Sequence, residues 1–455
     1  MRRMVTACGA VVLAGVVGAA CATGAGIAPR GTSSPPSTAS PSTAPAATTT
    51  TGPSYAAGWG VVPPGPVNPG SVAAWTGTQL LVDEGECCAG LGSTDIDAYD
   101  PATRTWTALP TSPLSARQGA LGVWTGTELV VVGGTGLPAG SSAVPDVQNA
   151  VPLANGAAYH PATRTWTPIA PAPTALEGSA WSGDRAVWSG SEVLVWAPAA
   201  GTAHVYAYAP ATDRWRTIPL GPAPELASSL ASAEPDAVVL WTGTGLLVWP
   251  GPGTPSGGAT TSTSVPPATS VQGAILDPAT GTWRAMAPAP IPARNQASAV
   301  WTGTDLFVWG GAVPTATGSG AVTPRADGAL YDPSTLQWRT LPPSPLTARS
   351  GAAAVWTGRE VVVLGGEGVA TTSTSPDDGF ALGSAVYVPA SDTWQLLPAS
   401  PVAPVTDNDV APAEHVDLRI EAVGFWTGSQ ALFTGGEVPG LQAAGSSGAT
   451  WTPGI

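Results

Sequence analysis

Lysine is absent from this 455-residue chain: all 16 of its basic residues are arginine. Schiff-base chemistry needs a lysine amine, so that class of mechanism is excluded. Charge is also scarce. Only 10% of residues are Asp, Glu, Lys or Arg, and the net charge is −14. A polyanion would find no broad basic face, so nucleic acid is not an expected partner. Histidine occurs three times, as His160, His204 and His415. His160 stands where a turn motif otherwise has Asp and His204 begins a strand, so the two are not expected to converge on a metal. Only His415, in a long loop, is a candidate for a Ser-His-Asp relay. Every Gly pair is expected to end a strand and precede an irregular loop, which is no phosphate cradle. Neither a metal nor a cofactor is expected.

Long apolar runs are missing too. The N-terminus carries Arg2 and Arg3, then an apolar stretch from Val11 to Ala20, too short for a permanent membrane span. It has the form of an export signal. Cys21 follows Val17-Gly18-Ala19-Ala20, which resembles a bacterial lipobox except that Gly18 replaces a larger aliphatic residue. Lipidation of Cys21 would tether the chain to the outer face of the membrane; ordinary cleavage after Ala22 would release it. Residues 31–54 are nearly all Ser, Thr, Pro, Ala and Gly, a composition that suits a flexible spacer. The expected organisation is a signal peptide over 1–20, a tether over 21–54 and a folded domain over 55–455.

What the chain does have is 57 Gly, 49 Pro and 19 Trp, with 43% hydrophobic residues. So many large aromatics need a core, and short strands joined by Gly/Pro turns supply one without long runs. Two motifs alternate. An apolar residue followed by Trp-Thr-Gly recurs at Trp75, Trp124, Trp188 (as Trp-Ser-Gly), Trp241, Trp301, Trp356 and Trp426. After each comes an apolar run, often closed by a Gly pair such as Gly310-Gly311 or Gly365-Gly366. The second motif reads Tyr99-Asp100-Pro101-Ala102-Thr103-Arg104-Thr105-Trp106, with copies ending at Trp166, Trp215, Trp283, Trp338 and Trp394. Its centre has turn chemistry and its flanks alternate like half-buried strands. Each unit is therefore four short antiparallel strands.

Gly-Gly, then Tyr-Asp-Pro-x-Thr-x-x-Trp, then Leu341-Pro342-Pro343-Ser344-Pro345 and Arg349 resembles the kelch repeat, over essentially all of 55–455. That resemblance implies an all-β fold, a β-propeller whose blades protect one another's edges. Seven Trp-Thr-Gly units make it seven-bladed. Only six Tyr-to-Trp units are complete, because Ser447–Pro453 matches Gly383–Pro389 and then the chain stops. Trp59–Pro64 supplies the missing strand, so the last four-stranded blade should combine three C-terminal strands with one from the N-terminus.

The two tight turns hardly vary, whereas connections 135–153, 250–270, 312–326, 368–383 and 400–418 are long. All of these lie at one end of the sheets, an arrangement that marks a binding face or tolerated padding. Seven residues before the first Trp of a unit stand Arg117, Trp181, Arg294, Arg349 and Arg419, and just after the Gly-Gly position stand Glu86, Glu367 and Glu437. These residues form a candidate funnel for a polyhydroxylated or carboxylated ligand; the alternative is Arg–Glu pairs tying neighbouring blades. The other Trp read as core. Some kelch propellers are copper oxidases with His, Tyr and Cys ligands, which the three scattered His do not match; others act as sugar mutarotases, which keeps acid–base chemistry on a sugar as the enzymatic alternative. Cys87 and Cys88 are adjacent and form either a vicinal disulfide or two free thiols. Asp377-Asp378 and Asp407-Asn408-Asp409 suit Ca²⁺ or a solvated loop. The expected function is non-catalytic recognition of a protein or glycan by a monomer that meets the membrane only through its lipid.

Overall fold

The computed structural model describes residues 57–63, 65, 72–83, 95–138, 149–176, 185–199, 202–219, 237–251, 272–314, 322–368, 383–400, 402–403, 414–415, 422–435 and 448–454. The expected signal peptide, Cys21 and the tether lie outside them.

Each unit begins with a hairpin whose geometry explains why Trp-Thr-Gly does not vary. In the fifth unit the Thr302 amide donates to the Asp305 carbonyl at 2.9 Å, and Thr302 Oγ1 accepts the Asp305 amide at 2.9 Å. Gly303 between them sits at φ +92°, where an L side chain would be strained. Ser189 makes the same two bonds with Glu192, so a hydroxyl is what the position requires. The second hairpin turn, Asp332 to Gln337, is closed differently. The Asp332 carboxylate accepts from the Ser334 amide and from Thr335 Oγ1, and Leu336 is left-handed at φ +60°.

These turns yield seven four-stranded antiparallel sheets and no α-helix among the described residues. Sheet one spans 73–108, sheet two 121–169, sheet three 185–218, sheet four 238–285, sheet five 298–340 and sheet six 353–396. In each, the strands pair in chain order. Sheet seven takes Val423–Trp426, Ala431–Thr434 and Gly448–Thr452, and its fourth strand is Gly58–Val62 from the other end of the chain. Trp59 lies opposite Trp451, their ring centroids 5.1 Å apart.

Apolar residues on both faces of each sheet meet those of the adjacent sheets. Seven core clusters result among the described residues. One joins sheets three and four through Val187, Leu194, Trp196, Val239 and Leu246, and another joins sheets seven and one through Val62, Phe425, Leu432, Leu80 and Tyr99. The other five join sheets one and two, two and three, four and five, five and six, and six and seven. First strands of successive sheets touch, and the first strand of sheet seven also touches that of sheet one.

The last-strand Trp adds a polar tie across these seams. Trp166 Nε1 of sheet two donates to Pro110 O beyond sheet one at 2.8 Å, and Trp338, Trp394 and Trp215 repeat the bond to Ala287, Pro342 and Ala170. Trp59 of sheet seven donates to Pro398 beyond sheet six, and Trp106 of sheet one donates to Pro63 beyond Trp59. Sheet four is the exception: Trp283 Nε1 is buried without a partner, and Trp283 instead meets Trp196 of sheet three edge-on at 6.2 Å.

Two expectations about the connections need correction. After Gly133-Gly134 and Gly310-Gly311 the chain resumes pairing, not an irregular loop. Thr135–Gly136 pairs with Val151–Pro152 and with Arg117–Gln118, and Ala312–Pro314 pairs with Val322–Pro324. Within 400–418, Val402–Ala403 pairs with Glu414–His415, so His415 belongs to a hairpin. The left-handed Gly pair reverses the chain tightly enough for this: Gly310 and Gly311 have φ of +68° and +81°. His204 also lies inside the strand Thr202–Ala209, not at its start.

Candidate functional site

In an antiparallel four-stranded sheet, connections one-to-two and three-to-four lie at one end, and two-to-three and the exit to the next sheet lie at the other. The described candidate funnel residues stand at the second, loop-bearing end. Glu86, Trp181, Arg419 and Glu437 fall outside the described residues, as do Cys87, Cys88 and both acidic clusters. Arg117, Arg294, Arg349 and Glu367 are described.

The three arginines are buried, with relative exposures of 2%, 0% and 0%. Arg294 Nη1 donates to the carbonyl of Gly310, sixteen residues on, at 3.0 Å, and to Asp327 O and Oδ1 at 3.1 Å each. Its Nε donates to Pro292 O at 3.0 Å. Arg349 repeats the scheme with Gly365, Gly383 and Thr347, and Arg117 repeats it with Gly133, Asn155 and Ser115. Each guanidinium thus ties three places in its own sheet: the approach to the first strand, the Gly pair and the start of the third strand. A guanidinium has five N–H donors in a fixed fork, and here they go to backbone oxygens that burial would otherwise leave unpaired and to the side-chain oxygens of Ser115, Asn155, Asp327 and Thr347. Burial lowers Arg117 to about 10, still cationic at neutral pH. The three guanidinium forks are thus each engaged within their own sheet. Among the described residues, the ion pair these arginines make is Arg294–Asp327.

Glu367 behaves differently. Its backbone exchanges two hydrogen bonds with Ser350 at 2.8 Å each, which fixes its place beside the approach to sheet six. Its side chain is exposed by area, yet enough protein surrounds the carboxyl that desolvation raises its pKa. Asp327 moves the other way: burial opposes ionisation, but the hydrogen bonds and charge of Arg294 outweigh it and hold the carboxyl below its usual range.

Three of the four exposed large apolar residues among those described also stand at the loop-bearing end. They are Val151 (41% exposed) and Val322 (46%) on the hairpin extensions of sheets two and five, and Leu396 (55%) at the last residue of a fourth strand.

At the opposite end, His160 Nδ1 lies 3.1 Å from Glu128 Oε2 and its Nε2 lies 2.7 Å from Thr167 Oγ1. The order hydroxyl, imidazole, carboxylate is that of a general-base relay. The equivalent positions in sheet three, Glu192 and Arg216, are joined directly by a bidentate ion pair at 2.7 and 2.9 Å. Both sheets thus use these positions to tie the second strand to the fourth, and His160 fills the gap that the short Thr167 leaves. Among the described residues no group of three His, Cys, Asp or Glu is gathered as for a metal ion.

Sequence reasoning did not separate the two sets of repeating Trp. Both recur once per unit and both are half-buried; they differ in the indole N–H, which six of the seven last-strand Trp donate to a carbonyl. Periodicity alone marks a position and cannot report what its N–H meets. No family model matches the chain, and no curated protein matches it.

Proposed function

We propose that the chain is an exported, surface-tethered binding protein of kelch type, a closed seven-bladed β-propeller that presents its loop-bearing end to a protein or glycan. Closure is supported by the count of seams: an open row of seven sheets has six, whereas here a seventh core cluster lies between sheets seven and one. Export and tethering are supported by Arg2, Arg3, the apolar stretch Val11–Ala20 and Cys21 in the sequence. The observation that carries the binding reading is the pair of hairpin extensions with exposed Val151 and Val322, set on Gly-Gly turns that arginine struts hold rigid. Exposed apolar side chains on rigid hairpins suit a protein partner. Affinity capture from envelope extracts, repeated with Val151→Ser and Val322→Ser, tests this. A saturable partner lost in the double variant is expected; equal recovery by both proteins sinks the reading.

An enzyme acting on a sugar is the second reading, and the raised, exposed Glu367 carboxyl is what favours it. Turnover of a carbohydrate by the intact protein, abolished by Glu367→Gln, would replace the binding reading with this one.

A further inference from the structure

We propose that the other end, where the tight turns lie, is a carbohydrate-binding surface built from the seven first-strand Trp. This does not rest on the loop-bearing end being a binding face. Trp75, Trp124, Trp188, Trp241, Trp301, Trp356 and Trp426 each end the first strand of a sheet, at the same end of every sheet. The first strands touch in succession from sheet one to sheet seven and back, so the seven indoles surround one opening. One side of each ring packs on an inter-sheet core cluster, as Trp301 does on the cluster of Leu306 and Tyr331, and the remainder faces solvent.

The indole N–H groups distinguish these Trp from the last-strand Trp, which are equally half-buried. Six of the seven last-strand Trp donate to a carbonyl of the preceding sheet. None of the seven first-strand Trp makes a hydrogen bond to the protein among the described residues, and none of their nitrogens is among the buried atoms left without a partner. Their donors therefore point to water. A flat apolar face beside an unused donor matches a sugar ring, which offers C–H groups to the π face and hydroxyl oxygens to the N–H.

Charge narrows the class. Three residues after each Thr or Ser of the hairpin, the sheets carry Gln79, Glu128, Glu192, Gly245, Asp305, Glu360 and Gln430. Glu128, Glu192 and Glu360 already face His160, Arg216 and Arg359 within their own sheets. Among the described residues, three of these four carboxylates are partnered and Asp305 alone of the four has no cation beside it, accepting from Thr304 Oγ1 instead, and a neutral glycan is the fitting ligand. Seven weak, equivalent positions around one opening would hold a long or branched chain by multivalency.

The test reads the indole ¹H–¹⁵N resonances of the whole protein, each assigned by a single Trp→Phe substitution. The protein is titrated with linear neutral glucan, mannan and galactan hexasaccharides to ~10 mM, where even a millimolar complex is populated. The first-strand resonances are expected to exchange rapidly with water and to shift with at least one of the three sugars. The six hydrogen-bonded last-strand resonances are expected to stay. Replacing 368–382 by a short Gly-Ser linker should leave the shifts unchanged, which separates this surface from the loop-bearing end. Absence of shifts with all three sugars would overturn the proposal, as would shifts confined to last-strand Trp or a response to a sulfated oligosaccharide alone.

Discussion

The two ends of the sheets solve the same problem, reversing a strand, with opposite economies. At the tight-turn end a single hydroxyl and one Gly close each first hairpin. Neighbouring sheets are then linked by exposed side chains: Arg339 reaches Asp392 Oδ1 at 2.6 Å and the Tyr387 hydroxyl at 3.1 Å across the seam. At the loop-bearing end, sheets two, five and six turn on Gly pairs under crowded backbone, each held by a buried arginine. A Cβ on Gly311 would lie 2.7 Å from Asn295 O, whereas one on Gly303 at the other end meets nothing within 4 Å. Rigid geometry is therefore buried beneath the end that varies in length, and the end of constant length is tied from outside. Variable loops become tolerable when their base is fixed independently of them.

The strand exchange in sheet seven bears on both ends at once, and its removal is the largest perturbation we foresee. A chain beginning at Gly70 lacks Gly58–Val62, so it loses the Trp59–Trp451 contact, the buried Val62 and the ties from Trp59 to Pro398 and from Trp106 to Pro63. Cooperative thermal unfolding should disappear, with the freed edge of Gly448–Thr452 promoting association. A melting temperature equal to that of the longer chain would show that sheet seven is not what joins the two termini.

The arginine struts sharpen the contrast between ends. Arg349→Met keeps a long apolar side chain but leaves the Thr347, Gly365 and Gly383 carbonyls without their donor, which should cost about 3–5 kcal/mol in urea unfolding. Arg339→Met removes an exposed ion pair and should cost no more than about 1 kcal/mol. Equal costs would mean the buried arginines are not struts. The glycines give a smaller version of the comparison. Gly311→Ala combines left-handed strain with a backbone clash and should cost about 3 kcal/mol, and Gly303→Ala, with strain alone, about 1 kcal/mol.

Much of this architecture is legible in the chain because it repeats. The Trp-Thr-Gly hairpins, the Asp-Pro turns and the pairing of Trp59 with the C-terminal strand all follow from aligning unit against unit. What repeats equally cannot be told apart in that way. Arg349 reads as a ligand-binding cation because its position is polar and near a presumed mouth. Only the three-dimensional path of Gly365 and Gly383 shows that its fork is already filled. The first-strand and last-strand Trp share a period and a half-buried setting, so the difference in what their N–H groups meet, the basis of the proposed sugar surface, leaves no trace in the sequence. The left-handed position of the second turn is hidden for another reason. It is filled by Arg104, Arg164, Asp213, Leu336 and Asp392, and only once by a Gly, Gly281. Sheet pairing on both sides overrides the local preference for Gly.

Asp327 and Glu367, two of the described carboxyls at the loop-bearing end, set the smallest expected effects, of opposite sign. Asp327 titrates lower in the folded protein than in the unfolded chain, so its contribution to stability is fully present above the unfolded value of about 4 and is lost as pH falls through the folded value. Glu367 titrates higher when folded, so its favourable contribution is present below the unfolded value of about 4.3 and is lost as pH rises through the folded one. Asp327→Asn should therefore flatten the acid limb of a stability–pH curve, and Glu367→Gln should leave that limb intact while slightly raising stability near neutrality. Asp327 is more than half exposed, so solvent screens its pair with Arg294 and the effect stays well below that of removing Arg349. If Asp327→Asn instead destabilised the protein as much as Arg349→Met at neutral pH, the carboxylate and not the carbonyls would be what the buried arginine holds.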